Sequence, residues 1–403
     1  METVFNGLKV ADFSWFGVGP LTTRYLSCFG ATVIRIESNL RVDGLRTSGP
    51  FKDGKVGINR SGYYAHFNPN KYSIAINLNN PKGIEVAKRL IGWSDVVVEN
   101  FTPGTMERWG LGYESLKAIN SKIIMLRTSN QGGTGPLAKH PGFGHHLVAL
   151  SGFCYYTGWP EGEPAALSTA YTDSVTPRFA VCALIAALIY RAKTNKGQLI
   201  DISQLESSMQ FLAPLILDYG VNGRVGGKNG NRCVYAAPHG VYRCKGDDRW
   251  CAIAVFNDDE WKTFCNVIGK PDWTRNPEFE TLLSRKKNEE QLNRLIEEWT
   301  INFTPEEVLM LMQQGGVTSG VVKNARGVYE DPQLLERNAF WLLNHREIGP
   351  CTHLGAPFKM SKTSAKAERP APCLGEHTEY ICREFLGMSE GMFDELIVSG
   401  AFE

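Results

Sequence analysis

Apolar positions in the first two hundred residues fall into short β-branched runs separated by amphipathic stretches. LKVADFSW (8–15), ATVIRIES (31–38), YSIAINL (72–78), DVVVENF (95–101) and KIIMLRTS (122–129) read as strands, each short and almost continuously apolar. Between them PLTTRYLSCFG, closed by Gly30, then PKGIEVAKRLIGWS and YESLKAINS read as helices. This alternation predicts βαβ units and an α/β, Rossmann-like large domain with a mostly parallel sheet. The segment 171–209, YTDSVTPRFAVCALIAALIYRAKTNKGQLIDISQLESSM, adds a long apolar helix, a basic turn, a further strand and another helix. No GxGxxG follows the first strand, which disfavours an ordinary nicotinamide or flavin site.

The pattern changes after Tyr219. VNGRVGGKNGNR, rich in Gly and Asn, reads as a mobile linker or loop. HGVYRCKGDDRWCAIAVF reads as an antiparallel hairpin turning at Lys245 to Asp248. The helical stretches DDEWKTFCNVIG, RKKNEEQLNRLIEEWT and TPEEVLMLMQQ follow. The expected organisation is a large catalytic domain at 1–225, a smaller α+β domain at 226–335, and a return to the large domain at 336–403.

Composition narrows the function more than the fold. With 403 residues, two domains are the prior. The net charge of +1, with both signs interspersed, points to no nucleic acid and no membrane surface as partner. The start METVFNGLKVADF leads straight into a strand pattern rather than a signal peptide. The apolar run Phe179–Tyr190 is too short to span a bilayer and reads as a buried helix. The ten cysteines show no CxxC pairs and no metal spacing. With no export signal, they read as reduced thiols of a cytoplasmic protein.

One residue stands out for its chemistry. Asp173 precedes the long apolar helix, where backbone N–H groups and the helix dipole would hold a carboxylate ionised and nucleophilic. Taken alone, an Asp in this place is ordinarily a helix cap.

The landmarks around it shift that balance. DFSWFGVGP, GATVIRIES, NPNKYSIAINL, VENFTPGTMERWGLG, PGFGHHLVALSG and above all the stretch from Asp173 to Glu206 occur in the order of the class III CoA-transferases. The chain resembles that family, of the formyl-CoA transferase and carnitine CoA-transferase type, over nearly its whole length. The resemblance implies an interlocked dimer, or a heteromer with a related chain. It also implies that Asp173 attacks an acyl-CoA thioester to give a mixed anhydride, then an aspartyl-CoA thioester. The partners are then an acyl-CoA and a carboxylic acid, with no cofactor beyond the CoA thioester and no metal.

By the same resemblance Asn70, Lys71, Asn100, Phe101 and Arg108 contact CoA. Ser38 and Tyr72 stand where relatives carry basic residues, with Arg41 and Arg46 as substitute phosphate partners. Gly17 replaces the Gln of formyl-CoA transferase, which argues for a bulkier acyl group. His145 or His146 is expected over the reacting carboxylate, and His239 and Gly240 belong to a loop that covers intermediates. Trp15, Phe16, Phe143, Tyr155, Tyr156 and Trp159 are candidates for an aromatic acyl pocket. YTGWPEGEPAALSTAYTD is most like the succinyl-CoA-dependent branch that includes benzylsuccinate CoA-transferase. Two alternatives stand beside this reading. One is a 2-methylacyl-CoA racemase, although Phe143 occupies the racemase His position. The other is a non-catalytic subunit of a hetero-oligomeric transferase, although Asp173 is retained.

Overall fold

The computed structural model describes residues 3–403. The chain divides into two compact units. One runs to Cys154 and takes in Ala166–Val225 and Leu335–Glu403; the other comprises Tyr155–Ala165 and Gly226–Leu334. The sequence pattern assigns Tyr155–Ala165 to the large domain. The structure puts it with the second unit, where Gly158 O accepts from the Gly230 N–H at 3.0 Å and the Trp159 ring lies against Gly230.

The first unit is built on β1 (Lys9–Asp12), β2 (Thr32–Glu37), β3 (Tyr72–Ala75), β4 (Val96–Glu99), β5 (Ile124–Ser129) and β6 (Gln198–Ser203). Their order is β3-β2-β1-β4-β5-β6, and every pairing is parallel. This is the doubly wound arrangement, in which chain order reverses between β1 and β4. Side chains alternate across the sheet. Val10, Val33, Val98 and Leu126 pack on one face with Ala180, Leu184 and Ala187 of the helix Tyr171–Thr194. Ala11, Ile34, Val97 and Met125 pack on the other with Val86, Leu90 and Ile91 of the helix Pro81–Trp93. Both faces are covered, which is why these strands are apolar throughout.

The helix Tyr171–Thr194 departs from expectation. It is 24 residues long, and among the described residues it is the one helix long and apolar enough to cross a membrane by length and composition. Only its inner stripe is buried. Phe179, Cys182, Ile185, Ile189 and Tyr190 are exposed, so the run 179–190 is half-buried rather than buried.

The second unit carries β7 (His239–Arg243), β8 (Trp250–Ala254) and β9 (Thr318–Val321), all antiparallel in the order β7-β8-β9. The hairpin turns between Arg243 and Trp250, which face each other across it. Its core gathers Ile253, Phe264, Phe279, Leu292, Ile296 and Met312. The stretch 285–300, read as one helix, is two: Leu282–Lys287 and Glu289–Thr300, separated at Asn288.

Candidate active site

A cavity of about 830 Å³ runs along the carboxyl ends of the first unit's strands. Its lining follows the sheet: Asn77 beyond β3, Ser38 and Arg41 beyond β2, Phe16 and Gly17 beyond β1, Asn100 and Arg108 beyond β4, Ser129 at the end of β5, Gln204 beyond β6. Its centre is where the β1 and β4 loops diverge, the place where open α/β sheets form ligand crevices. Those two loops are tied together. Asn100 Oδ1 accepts from the Trp15 N–H at 2.8 Å, and Asn100 Nδ2 donates to Trp15 O at 2.6 Å.

Asp173 opens onto this cavity. It is not a helix cap. The helix begins at Tyr171 with Ala170 as N-cap and no capping side chain, which puts Asp173 inside the first turn. Two glycines flank its carboxylate. A Cβ on Gly17 would lie 2.8 Å from Oδ2, and a Cβ on Gly144 would lie 2.7 Å from Oδ1. Burial raises its pKa to about 6, partly offset by the neighbouring Thr172 hydroxyl. The helix terminus therefore does not hold this acid at ordinary carboxylate acidity. Enclosure makes the carboxylate more basic than a solvated one.

The β1 loop owes its shape to a buried charge network. Arg35 NH1 donates to Ser14 O at 2.8 Å, and Arg35 NH2 pairs with the Asp43 carboxylate. Asp43 Oδ1 in turn accepts from the N–H groups of Phe16 at 3.1 Å and Leu45 at 3.0 Å. Phe16 has φ +55°, a left-handed conformation costing an L-residue about 1 kcal/mol. Its ring meets Phe143 edge-on, with centroids 5.4 Å apart.

Not every anticipated site residue reaches this cavity. Phe101, Arg108, Asn100, Gly17 and Phe143 line it; Lys71 and Asn70 do not. The Lys71 ammonium is fully buried, 3.1 Å from Asp12 Oδ2, 2.9 Å from Pro20 O and 2.8 Å from Asn68 Oδ1. Burial lowers its pKa to about 8 against the pull of Asp12, so it is a structural cation with no donor left for a phosphate. Asn70 is spent on the C-terminal segment, its Oδ1 accepting from Glu368 and Arg369 N–H and its Nδ2 donating to Lys366 O. Arg46 is buried against both Glu37 oxygens and cannot reach a phosphate, whereas Arg41 lies at the cavity wall over the Trp15 ring.

His145 and His146 are exposed and do not line the cavity, because the helix Gly144–Leu150 turns Leu147 and Val148 inward. His140, which no motif singles out, lines it instead. Tyr155, Tyr156 and Trp159 belong to the second unit and take no part in this wall. His239 and Gly240 also lie in the second unit, beside a cavity of about 450 Å³ there. Their loop is well anchored: Ala236 and Ala237 are buried, and the Ala237 carbonyl accepts from Arg285 Nε at 2.7 Å. Gly144 and Asp43 were missed entirely. The Asp43-Gly44 pair was readable as a turn, but its role at the cavity was not.

This fold and cavity have counterparts among known proteins. Residues 5–378 match the model of CoA-transferase family III, and the chain belongs to that family. It is 30% identical to succinyl-CoA–D-citramalate CoA-transferase of Chloroflexus aurantiacus, over 96% of this chain and 94% of that protein. It is also 30% identical to human succinyl-CoA:glutarate CoA-transferase, over 99% of this chain and 90% of that protein. A CAIB/BAIF family protein from Brucella suis superposes with a TM-score of 0.88 at 30% identity, covering 96% of this chain and all of that one. The protein is accordingly a CoA-transferase.

Proposed function

We propose that this transferase moves CoA from succinyl-CoA to a free carboxylic acid, itself a dicarboxylate, with Asp173 as nucleophile. The observation that carries the reading is Asp173: a carboxylate within a helix's first turn that caps nothing, enclosed by two glycines and facing an open cavity. The two succinyl-CoA-dependent relatives support the donor. The aromatic pair Phe16 and Phe143 on the cavity wall suits an aromatic acceptor such as benzylsuccinate.

An Asp173 oxygen attacks the thioester carbonyl. The C–S bond breaks, leaving a mixed anhydride and the CoA thiolate. The thiolate attacks the aspartyl carbonyl, expels succinate and forms an aspartyl-CoA thioester. The acceptor carboxylate then runs these steps in reverse. Each thioester is exchanged for one of similar energy, and one hard displacement becomes several easier ones. The helix Val18–Cys28 begins beside the carboxylate at Gly17, and the oxyanion donors are the first-turn N–H groups of Val18 and Gly19, since Pro20 has none and that of Leu21 donates to Gly17 O. Arg108 and Arg41 serve the CoA phosphates, and Asn100 and Phe101 the pantetheine arm. The exposed apolar side of the helix Tyr171–Thr194 is the surface a second copy, or a related chain, would cover.

Mass spectrometry of the protein after incubation with succinyl-CoA tests the mechanism. A covalent CoA adduct on the peptide holding Asp173, discharged by acceptor acid, is expected. Transfer at full rate by the Asp173→Asn protein would overturn it.

A further inference from the structure

The turn Asp43-Gly44 does not itself line the cavity, yet it grips Phe16 twice. The Asp43 carboxylate, held by buried Arg35, accepts from the Phe16 N–H at 3.1 Å. The Phe16 ring lies over Gly44 so closely that a Cβ there would stand 2.3 Å from the ring edge. Phe16 is thereby kept at φ +55°, a conformation that non-glycine residues seldom adopt unless their surroundings impose it. This placement secures two contacts at the site. The Phe16 ring meets Phe143 at 5.4 Å on the cavity wall, and the next residue, Gly17, abuts Oδ2 of Asp173.

The geometry points to Asp43 and Gly44 as positioning residues that set the acyl wall of the site, with the Phe16–Phe143 pair as the element that reads acyl bulk. This rests on Asp173 being the nucleophile, because only then is the wall beside it the wall against the acyl group. Asp43 supplies the backbone latch and Gly44 the seat for the ring. Aromatic walls discriminate by shape, and a change of one methyl group in such a pocket alters selectivity by roughly tenfold or more.

The test compares kcat/KM for isotope-labelled succinate, read as label entering succinyl-CoA, and for benzylsuccinate as acceptors from succinyl-CoA, with the dissociation constant of succinyl-CoA measured alongside. Gly44→Ala drives a methyl group into the Phe16 ring and tips it off its seat toward the cavity. The benzylsuccinate-to-succinate ratio is expected to fall about tenfold, while succinyl-CoA affinity changes less than twofold. Asp43→Asn keeps an acceptor for the Phe16 N–H but loses the charge that holds Arg35; Asp43→Ala loses both. The ratio should move in the Ala variant and be largely restored in the Asn variant. Because Asp43 is buried, the decisive arm is a double-mutant cycle that leaves it intact: in a Phe16→Ala background, Gly44→Ala should have no further effect on the ratio. An unchanged ratio in folded Gly44→Ala, or an equal shift with and without the Phe16 ring, would overturn the assignment. The Asp173→Asn control separates the two ideas. If it is inactive while the Gly44 ratio does not move, the nucleophile stands and only the positioning role falls. If it transfers CoA at wild-type rate, the premise itself has failed.

Discussion

Gly17 and Asp173 are in contact so close that a Cβ on the glycine would lie 2.8 Å from Oδ2 and 3.0 Å from the Asp173 Cβ. The carboxylate cannot swing aside, because on its other edge a Cβ on Gly144 would lie 2.7 Å from Oδ1. Glycine is therefore required here for approach rather than for backbone freedom. Gly17→Ala should lower kcat by about tenfold to a hundredfold by misaligning the nucleophile, with a smaller effect on succinyl-CoA affinity. Pre-steady-state formation of the covalent adduct would show the loss directly, and an adduct formed at wild-type rate would contradict it.

Asp173→Asn and Asp173→Ala should reduce transfer by several orders of magnitude while the fold persists, because among the described residues lining the cavity the other carboxylate is already held by arginines. Circular dichroism and a CoA-exchange assay on the same preparations check both halves of the statement. The other acid along the cavity wall is Glu37, which is engaged by Arg46 and Arg35.

With Asp173 raised to about 6 by burial, the free enzyme should gain kcat/KM as pH rises and level off above about 7. The attacking form is the carboxylate, so the acid limb should fall tenfold per pH unit below about 6. A profile from pH 5 to 8 with succinyl-CoA varied and acceptor saturating gives the answer. A flat profile down to pH 5 would mean that the carboxylate titrates as if solvated.

Much of this architecture is legible in the chain. The runs around Val96–Val98 and Ile124–Leu126 are apolar on both faces because both faces of the sheet are covered, so strand and class follow from pattern alone. Asp173 is legible only through the motif around it, since an Asp near a helix start is normally a cap. His145 and His146 could not be excluded from sequence: the run Leu147–Leu150 is apolar all round the helix, and only the packing shows that Leu147 and Val148 face inward while Leu150 is exposed. Lys71 could not be assigned. Its fate depends on Asp12, 59 residues earlier, reached only once β1 and the Asn68–Lys71 turn are packed together. β9 was missed because TSGV has little strand character by itself and gains its place by pairing with β8.

The two cations once expected to share a role should part company in experiment. Arg108 is exposed at the cavity, with one hydrogen bond to Thr105 Oγ1 at 2.9 Å. Arg108→Ala should raise KM for succinyl-CoA about tenfold with little change in kcat, as expected for a phosphate contact equally strong in ground and transition states. Lys71→Ala should instead cost about 3–5 kcal/mol of stability by leaving Asp12 buried with one partner fewer. Whatever remains folded should keep its KM. A raised KM in Lys71→Ala without loss of stability would restore the lysine to the CoA site.

The raised pKa of Asp173 also makes the nucleophile a liability to the fold, in a way that pH can expose. The folded chain holds the Asp173 proton up to about pH 6, while the unfolded chain releases it near the ordinary value of 3.8. Between those values the folded state binds more protons than the unfolded one, so the free energy of unfolding falls as pH rises and is level above the window. A shift of about 2 units corresponds to about 3 kcal/mol at most, by 1.36 kcal/mol per unit. Asp173→Asn cannot titrate and escapes that loss. Its stability relative to wild type should climb between pH 4 and 6 and remain about 1–3 kcal/mol higher at pH 7.5. Urea midpoints of the two proteins at pH 4.5, 5.5 and 7.5 measure the difference directly, with every other titrating group cancelling between them. A difference that stays constant across the three values would show that Asp173 is not destabilised by its enclosure.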